Sequence, residues 1–304
     1  MVDIKTEIAG IKIKTPVMVA SGTFGSGSDY KDLVDLDEIG AIITKSVSLK
    51  PRKGNPPPRI CETPSGMLNT IGLENPGIEA FIEDDIKFLK GYKVPVIVNI
   101  AGETLDEYIE LAKILDKEDR VNGIELNISC PNVKKGCISF GIDPLATKEL
   151  VRAVKKETKK PIITKLTPNV TDITVIAKAA EEAGTDAISL INTVLGMSID
   201  ITTKKTKLSM GQGGLSGPAI KPIAVRMVNQ VYKAVKVPII GMGGIMNADD
   251  AIEFMLAGAS AVSIGTGNFV DPTISVEIAK GIKAYLTSNK LNSVKDIVGK
   301  VKTS

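Results

Sequence analysis

The chain has 304 residues, 43% hydrophobic and 24% charged, enough to bury a large core. Its formal charge is only +3 with signs interspersed, and no apolar run nears the ~20 residues that span a bilayer, so neither a nucleic-acid nor a membrane partner is expected. There is no histidine, which excludes a Ser-His-Asp triad and histidine-ligated metals and leaves Cys, Asp, Glu, Lys or Tyr as any general base. No metal site is expected. Three sparse cysteines (Cys61, Cys130 and Cys137) and no export-signal pattern point to a reducing, cytoplasmic setting.

Eight short apolar runs recur along the chain: Pro16–Ala20, Ala41–Thr44, Val94–Ile100, Gly123–Ile128, Pro161–Leu166, Ala187–Ile191, Val237–Gly241 and Ala261–Ile264. Several are nearly continuous in Val and Ile, the mark of parallel strands buried on both faces. Helical periodicity lies between them over Thr104–Leu115, Pro144–Glu157, Asp172–Ala183, Lys221–Val235 and Ala248–Ala257. Asp143 and Asn247 read as N-caps, and Gly184 and Gly258 as stops. This alternation predicts one (β/α)8 TIM-barrel domain over residues 1–304, with an open doubly wound sheet as the competitor. Loops are inserted after strands two, four and six. Residues 46–93 are too long for one helix, and residues 193–219 read as a polar hairpin-like excursion.

In such a barrel the active site lies at the C-terminal strand ends. Those ends carry Ser21-Gly22, Lys45-Ser46, Asn99, Asn127 through Cys130, Lys165 and Asn192-Thr193. The last two strands end in Gly243-Gly244 and Gly265-Thr266, where backbone N–H groups commonly hold a phosphate. No G-x-G-x-x-G dinucleotide fingerprint is present.

The run Asn127-Ile128-Ser129-Cys130-Pro131-Asn132 resembles the class 1 dihydroorotate dehydrogenases. So do Ala20 to Gly25, Thr44-Lys45-Ser46, Asn69 to Asn75, Ile191-Asn192-Thr193, Gly214 to Pro218 and Gly241 to Gly244, which together cover nearly the whole chain. The resemblance implies FMN at the barrel mouth and oxidation of dihydroorotate to orotate. It implies that Cys130 takes the C5 proton while C6 passes hydride to flavin, with nearby lysines favouring the thiolate. It puts Lys45 between flavin and substrate, and Lys165 at the N1/O2 edge of the flavin. Asn69, Asn127, Asn192 and Thr193, with backbone groups of Thr70, Ile71, Gly72 and Leu73, resemble the orotate-binding set; a carboxamide offers the pyrimidine both donor and acceptor. Ser21, Ser46, Asn99, Asn127, Ile191 and Gly217 match FMN contacts, and Gly243, Gly244, Gly265 and Thr266 the phosphate site. The segment Pro131–Gly141, with Gly136 and Gly141 as hinges, resembles a lid over substrate.

Residues 191–197 and 214–222 are more like the NAD-linked class 1B catalytic subunit than the fumarate-linked homodimer. That class implies a partner subunit with FAD and a [2Fe–2S] cluster, in a heterotetramer of two catalytic and two electron-transfer chains. Alternatives remain. Cys137 is the other candidate base, the fumarate-using class 1A homodimer the other subclass, and a Schiff-base aldolase built on Lys165 the other chemistry.

Overall fold

In a computed structural model, which describes residues 2–129 and 140–302, eight parallel strands close into a barrel. They are β1 (Val17–Val19), β2 (Ile42–Ile43), β3 (Val96–Ile100), β4 (Gly123–Asn127), β5 (Ile162–Lys165), β6 (Ala187–Leu190), β7 (Ile239–Met242) and β8 (Ala261–Ile264). Sequence order is kept around the ring, and β8 pairs with β1, which rules out the open sheet. Each strand lies within or one residue beyond its predicted run. The helices Leu105–Asp116, Pro144–Glu157, Ile173–Glu182, Lys221–Ala234 and Ala248–Ala257 cover the five predicted segments. Asp143 and Asn247 cap as expected, their side chains accepting from Leu145 N and Asp250 N. The final helix, Ile274–Ser288, was not anticipated, and after β1 the outer helix shrinks to a single turn, Ser21–Phe24.

Alternation along the strands sorts two cores. Val17, Val19, Val96, Val98, Ile124, Leu126, Ile188 and Leu190 face outward into the layer beneath the helices. Met18, Ile43, Ile97, Ile163, Ala187, Ile240 and Ala261 face inward and pack against Ile8, Ile11 and Ile13. Those three isoleucines come from an antiparallel hairpin, Thr6–Ile8 with Ile11–Ile13, which plugs one mouth of the barrel. The approach is tight at β4, where a Cβ on Gly123 would stand 2.8 Å from Ile11 Cδ1.

The two long excursions meet over the other mouth. Ile60–Thr63 and Gly66–Asn69, from the insertion after β2, pair with each other. The second of these strands also pairs with Gly213–Ser216, from the insertion after β6, and Val194–Gly196 completes a four-stranded antiparallel sheet. The predicted polar excursion is therefore a hairpin, but half of a sheet whose other half lies ~130 residues earlier in the chain.

Candidate active site

The same alternation that fills the barrel with isoleucine puts polar groups one layer higher. Two residues beyond inward-facing Ile97, Gly123, Ile163 and Ala187 stand Asn99, Glu125, Lys165 and Ser189. Asn99, Glu125 and Ser189 join Ser46 and Asn127 in a continuous hydrogen-bonded belt. Asn127 Nδ2 donates to Ser46 Oγ at 3.3 Å, and Ser46 Oγ donates to Asn99 Oδ1 at 2.5 Å. Asn99 Nδ2 donates to Glu125 Oε1 at 2.6 Å, and Ser189 Oγ to Glu125 Oε2 at 2.7 Å. Four residues from the predicted flavin and substrate sets (Ser46, Asn99, Asn127 and Lys165) thus belong to one cluster. Glu125 joins them unforeseen.

Lys165 lies against this belt with its side chain only 7% exposed. Its Nζ is 3.8 Å from Glu125 Oε1, an ion pair beyond hydrogen-bond reach, and among the described residues it donates to nothing. Lys45 is in a similar position. Its backbone N–H donates to Gly25 O, but among the described residues its ammonium has no hydrogen-bond or ion-pair partner. Burial pushes the Lys45 ammonium below the usual lysine value; Glu74 opposes that shift and Arg59 adds to it. Two largely enclosed ammonium groups with free donors call for acceptors that the described chain does not supply.

Asn69 and Thr193 both approach Gly214 of the side sheet. Asn69 Nδ2 donates to Gly214 O at 3.3 Å, and a Cβ on Gly214 would collide with Thr193 Oγ1 at 2.0 Å. Asn192 accepts the Thr193 N–H at 2.8 Å, which leaves its amide nitrogen free of any described acceptor. Thr70 is tied by its backbone to Arg59 and receives Asn55 Nδ2 on its hydroxyl. After it, Gly72 (φ +76°) and Leu73 (φ +56°) turn the chain through left-handed backbone. The N–H groups of Ile71, Gly72 and Leu73 donate to no described group. A side chain at Gly72 is forbidden twice, by φ and by Asn55, whose backbone nitrogen would lie 2.6 Å from the new Cβ.

The predicted phosphate residues also gather. The Ile191 N–H donates to Met242 O, and a Cβ on Gly243 would touch Ile191 Cγ1 at 3.4 Å. Gly244 is as near to Gly217, whose carbonyl oxygen would lie 2.8 Å from its Cβ. Thr266 Oγ1 donates to Ser216 Oγ at 2.8 Å, so the ends of β7 and β8 and the start of the Lys221–Ala234 helix share one corner. At Gly265 an added Cβ would meet nothing within 4 Å, so this corner has open space bounded by backbone donors. Ser21 is buried at the first turn after β1, beside the β8 end, where Asn268 Nδ2 donates to Thr23 Oγ1.

Cys130, the rival base Cys137, and Pro131 to Ser139 of the expected lid, Gly136 included, lie outside the described residues. Ser129, just before Cys130, donates its hydroxyl to Lys165 O at 3.2 Å, and Tyr108 OH holds Asn127 O at 2.7 Å. Sequence reasoning missed Glu125, although an acid inside the apolar run Gly123–Ile128 was the signal to look for.

Fold and rim together define a (β/α)8-barrel enzyme with its site at the strand C-termini. A family model described as dihydroorotate dehydrogenase matches residues 3–286. Curated relatives named "Dihydroorotate dehydrogenase B (NAD(+)), catalytic subunit" align over nearly their full lengths. One from Geotalea uraniireducens is 57% identical, covering 98% of this chain and 97% of its own. One from Citrifermentans bemidjiense is 58% identical at the same coverage, and one from Thermoanaerobacter pseudethanolicus is 55% identical over 99% of both chains. The chain belongs to the dihydroorotate dehydrogenase family, a family of oxidoreductases, and its likeness is to the NAD-linked B type. Neither the fumarate-linked nor the aldolase alternative is favoured by these relatives. No described helix is long and apolar enough to cross a membrane.

Proposed function

We propose that residues 1–304 form one FMN-binding domain that oxidises dihydroorotate to orotate in pyrimidine biosynthesis. The observation that carries this reading is Lys165, an enclosed ammonium without a described hydrogen-bond acceptor, set in a ring of amide and hydroxyl groups. The donor set suits FMN: ammonium and amide donors for an acceptor-rich planar ring, and backbone donors around open space for a phosphate. Ser21, Lys45, Ser46, Asn99, Asn127, Lys165, Ile191 and Gly217 would hold the ring and its ribityl chain. Gly243, Gly244, Gly265 and Thr266 would hold the phosphate. When bound, FMN supplies a hydride acceptor.

The chain's own work is binding and proton removal. Asn69, Asn127, Asn192 and Thr193 orient the pyrimidine by its amide edges. Lys45 and the N–H groups of Ile71, Gly72 and Leu73 favour the substrate's carboxylate, and Thr70, whose own N–H is held by Arg59 O, anchors the turn that presents them. Cys130, as thiolate, takes the C5 proton while hydride leaves C6, so that a C5=C6 double bond forms.

Electrons then leave through a separate subunit with FAD and a [2Fe–2S] cluster and reach NAD, in a cytoplasmic assembly of two catalytic and two electron-transfer chains. The relatives' names support an NAD-linked partner, and three cysteines cannot furnish the four thiolates such a cluster needs.

Anaerobic mixing with dihydroorotate tests the reading. The flavin of the wild-type protein should bleach rapidly, and that of Cys130→Ser at least ~100-fold more slowly at pH 7, the scale of a lost general base. Equal rates would remove Cys130 from the mechanism. For the partner, purification from the native host should bring down an iron–sulfur flavoprotein; a lone homodimer reoxidised by fumarate would contradict the assignment.

A further inference from the structure

Glu125 has no part in the proposed reaction, yet among the described residues of the rim it is the most enclosed ionisable side chain, with 0% of its side chain exposed. Both carboxylate oxygens are engaged: Oε1 by Asn99 at 2.6 Å with Lys165 Nζ 3.8 Å away, and Oε2 by Ser189 at 2.7 Å. A buried carboxylate needs both a counter-charge and donors, and this one has them.

Its chemistry also fixes the direction of the belt. An ionised carboxylate can only accept, so Asn99 must turn its amide nitrogen toward Glu125 and its oxygen toward Ser46. The Ser46 hydroxyl then donates its hydrogen bond to Asn99 Oδ1 and accepts one from Asn127 Nδ2. That leaves Asn127 Oδ1 for the Ser129 N–H at 3.3 Å. One acceptor-only group therefore decides which end of each carboxamide is available at the rim, across segments belonging to strands β2, β3 and β4.

We propose that Glu125 is a positioning residue of the flavin pocket, acting as the ionised counter-charge of Lys165 and as the fixed end of the hydrogen-bond chain through Asn99, Ser46 and Asn127. This rests on the FMN reading above. Its electrostatic consequence has a definite sign. Lys165 favours the reduced, negatively charged form of a flavin beside it, and the Glu125 carboxylate tempers that field. Removing the negative charge while keeping the shape should make bound FMN easier to reduce.

Two measurements decide the matter. The first uses the apo-proteins of wild type, Glu125→Gln, Lys165→Met and the double variant, followed by thermal unfolding. Lys165→Met strands a buried carboxylate and should lower the melting temperature most, and adding Glu125→Gln should restore part of the loss. Losses that simply add would overturn the ion pair.

The second is the midpoint potential of bound FMN. Glu125→Gln should raise it by about 30 mV or more, a tenfold shift of the two-electron equilibrium, while Glu125→Asp, which keeps the charge, should stay nearer wild type. A potential that is unchanged or lower in Glu125→Gln would overturn the positioning role, because a packing residue has no reason to move it upward. A wild-type protein that takes up no FMN would defeat the proposed function instead, and the melting series would still decide the pairing.

Discussion

The two mouths of the barrel are made by the same strands and do opposite work. At one, Ile8, Ile11 and Ile13 pack onto inward-facing Met18, Ile43, Ile97, Ile163 and Ile240, and the space is closed by apolar contact. At the other, two residues further along several of those strands, stand Asn99, Glu125 and Lys165, with Lys45 just past the end of β2. The period-2 geometry is unchanged and only the chemistry at each inward step differs. The lesson is that stability and ligand chemistry are separated along the barrel axis, so a substitution should report which layer it touches.

The largest stability effect should come from the plugged end. Ile11→Ala opens a cavity in a packed layer and should cost about 2–5 kcal/mol, read by denaturant unfolding, with flavin reduction by dihydroorotate unchanged in the protein that remains folded. A large loss of reduction rate without a loss of stability would break the separation. Lys45→Met should behave in the opposite way. It removes an ammonium that burial disfavours, so the apo-protein should melt no lower than wild type, while dihydroorotate-driven reduction slows by about 100-fold.

The pH dependence of orotate binding sharpens the same point. Binding to the charged Lys45 should weaken as pH rises through its lowered pKa, so the loss begins below the 10.5 of an ordinary lysine. Titration of orotate into wild type and Lys45→Met at increasing pH checks this, and the variant should lose that fall. A smaller effect is expected at the phosphate corner. Gly265→Ala fills open space and should weaken FMN by about tenfold, or about 1.4 kcal/mol, with riboflavin, which lacks the phosphate, affected less. Smallest of all, the exposed pair Lys14–Glu38 should contribute less than ~1 kcal/mol, so that Lys14→Ala barely moves the melting temperature.

The barrel was legible because strands such as Val96–Ile100 and Ile162–Lys165 are built mainly of Val and Ile up to a polar end, a local signal. The plugging hairpin was not. Its strands have three residues each, and its turn uses Ala9 at φ +53° before Gly10, where an Asn or Asp would have announced the turn. The rim residues Lys45, Asn99, Asn127 and Lys165 stood out as polar groups at the ends of apolar strands. Glu125 escaped because it lies within a strand, and its partners Asn99 and Ser189 are non-local. The sheet joining Asn69 to Gly214 was likewise hidden, since no local pattern in either excursion names the other. Sequence periodicity gives the direction of a side chain, whereas the partners it meets come from closure of the barrel.

The proposed role of Lys45 and Lys165 at the polar mouth is to serve a bound flavin and its substrate. A crystal structure of the flavin-loaded protein with orotate tests it most directly. A tricyclic ring should be seated over the Ser46–Asn99–Asn127 belt, with Lys165 and Lys45 as its ammonium donors and the phosphate at Gly243, Gly244, Gly265 and Thr266. A flavin seated elsewhere, or a mouth in which both lysines turn away from the ligand, would contradict it.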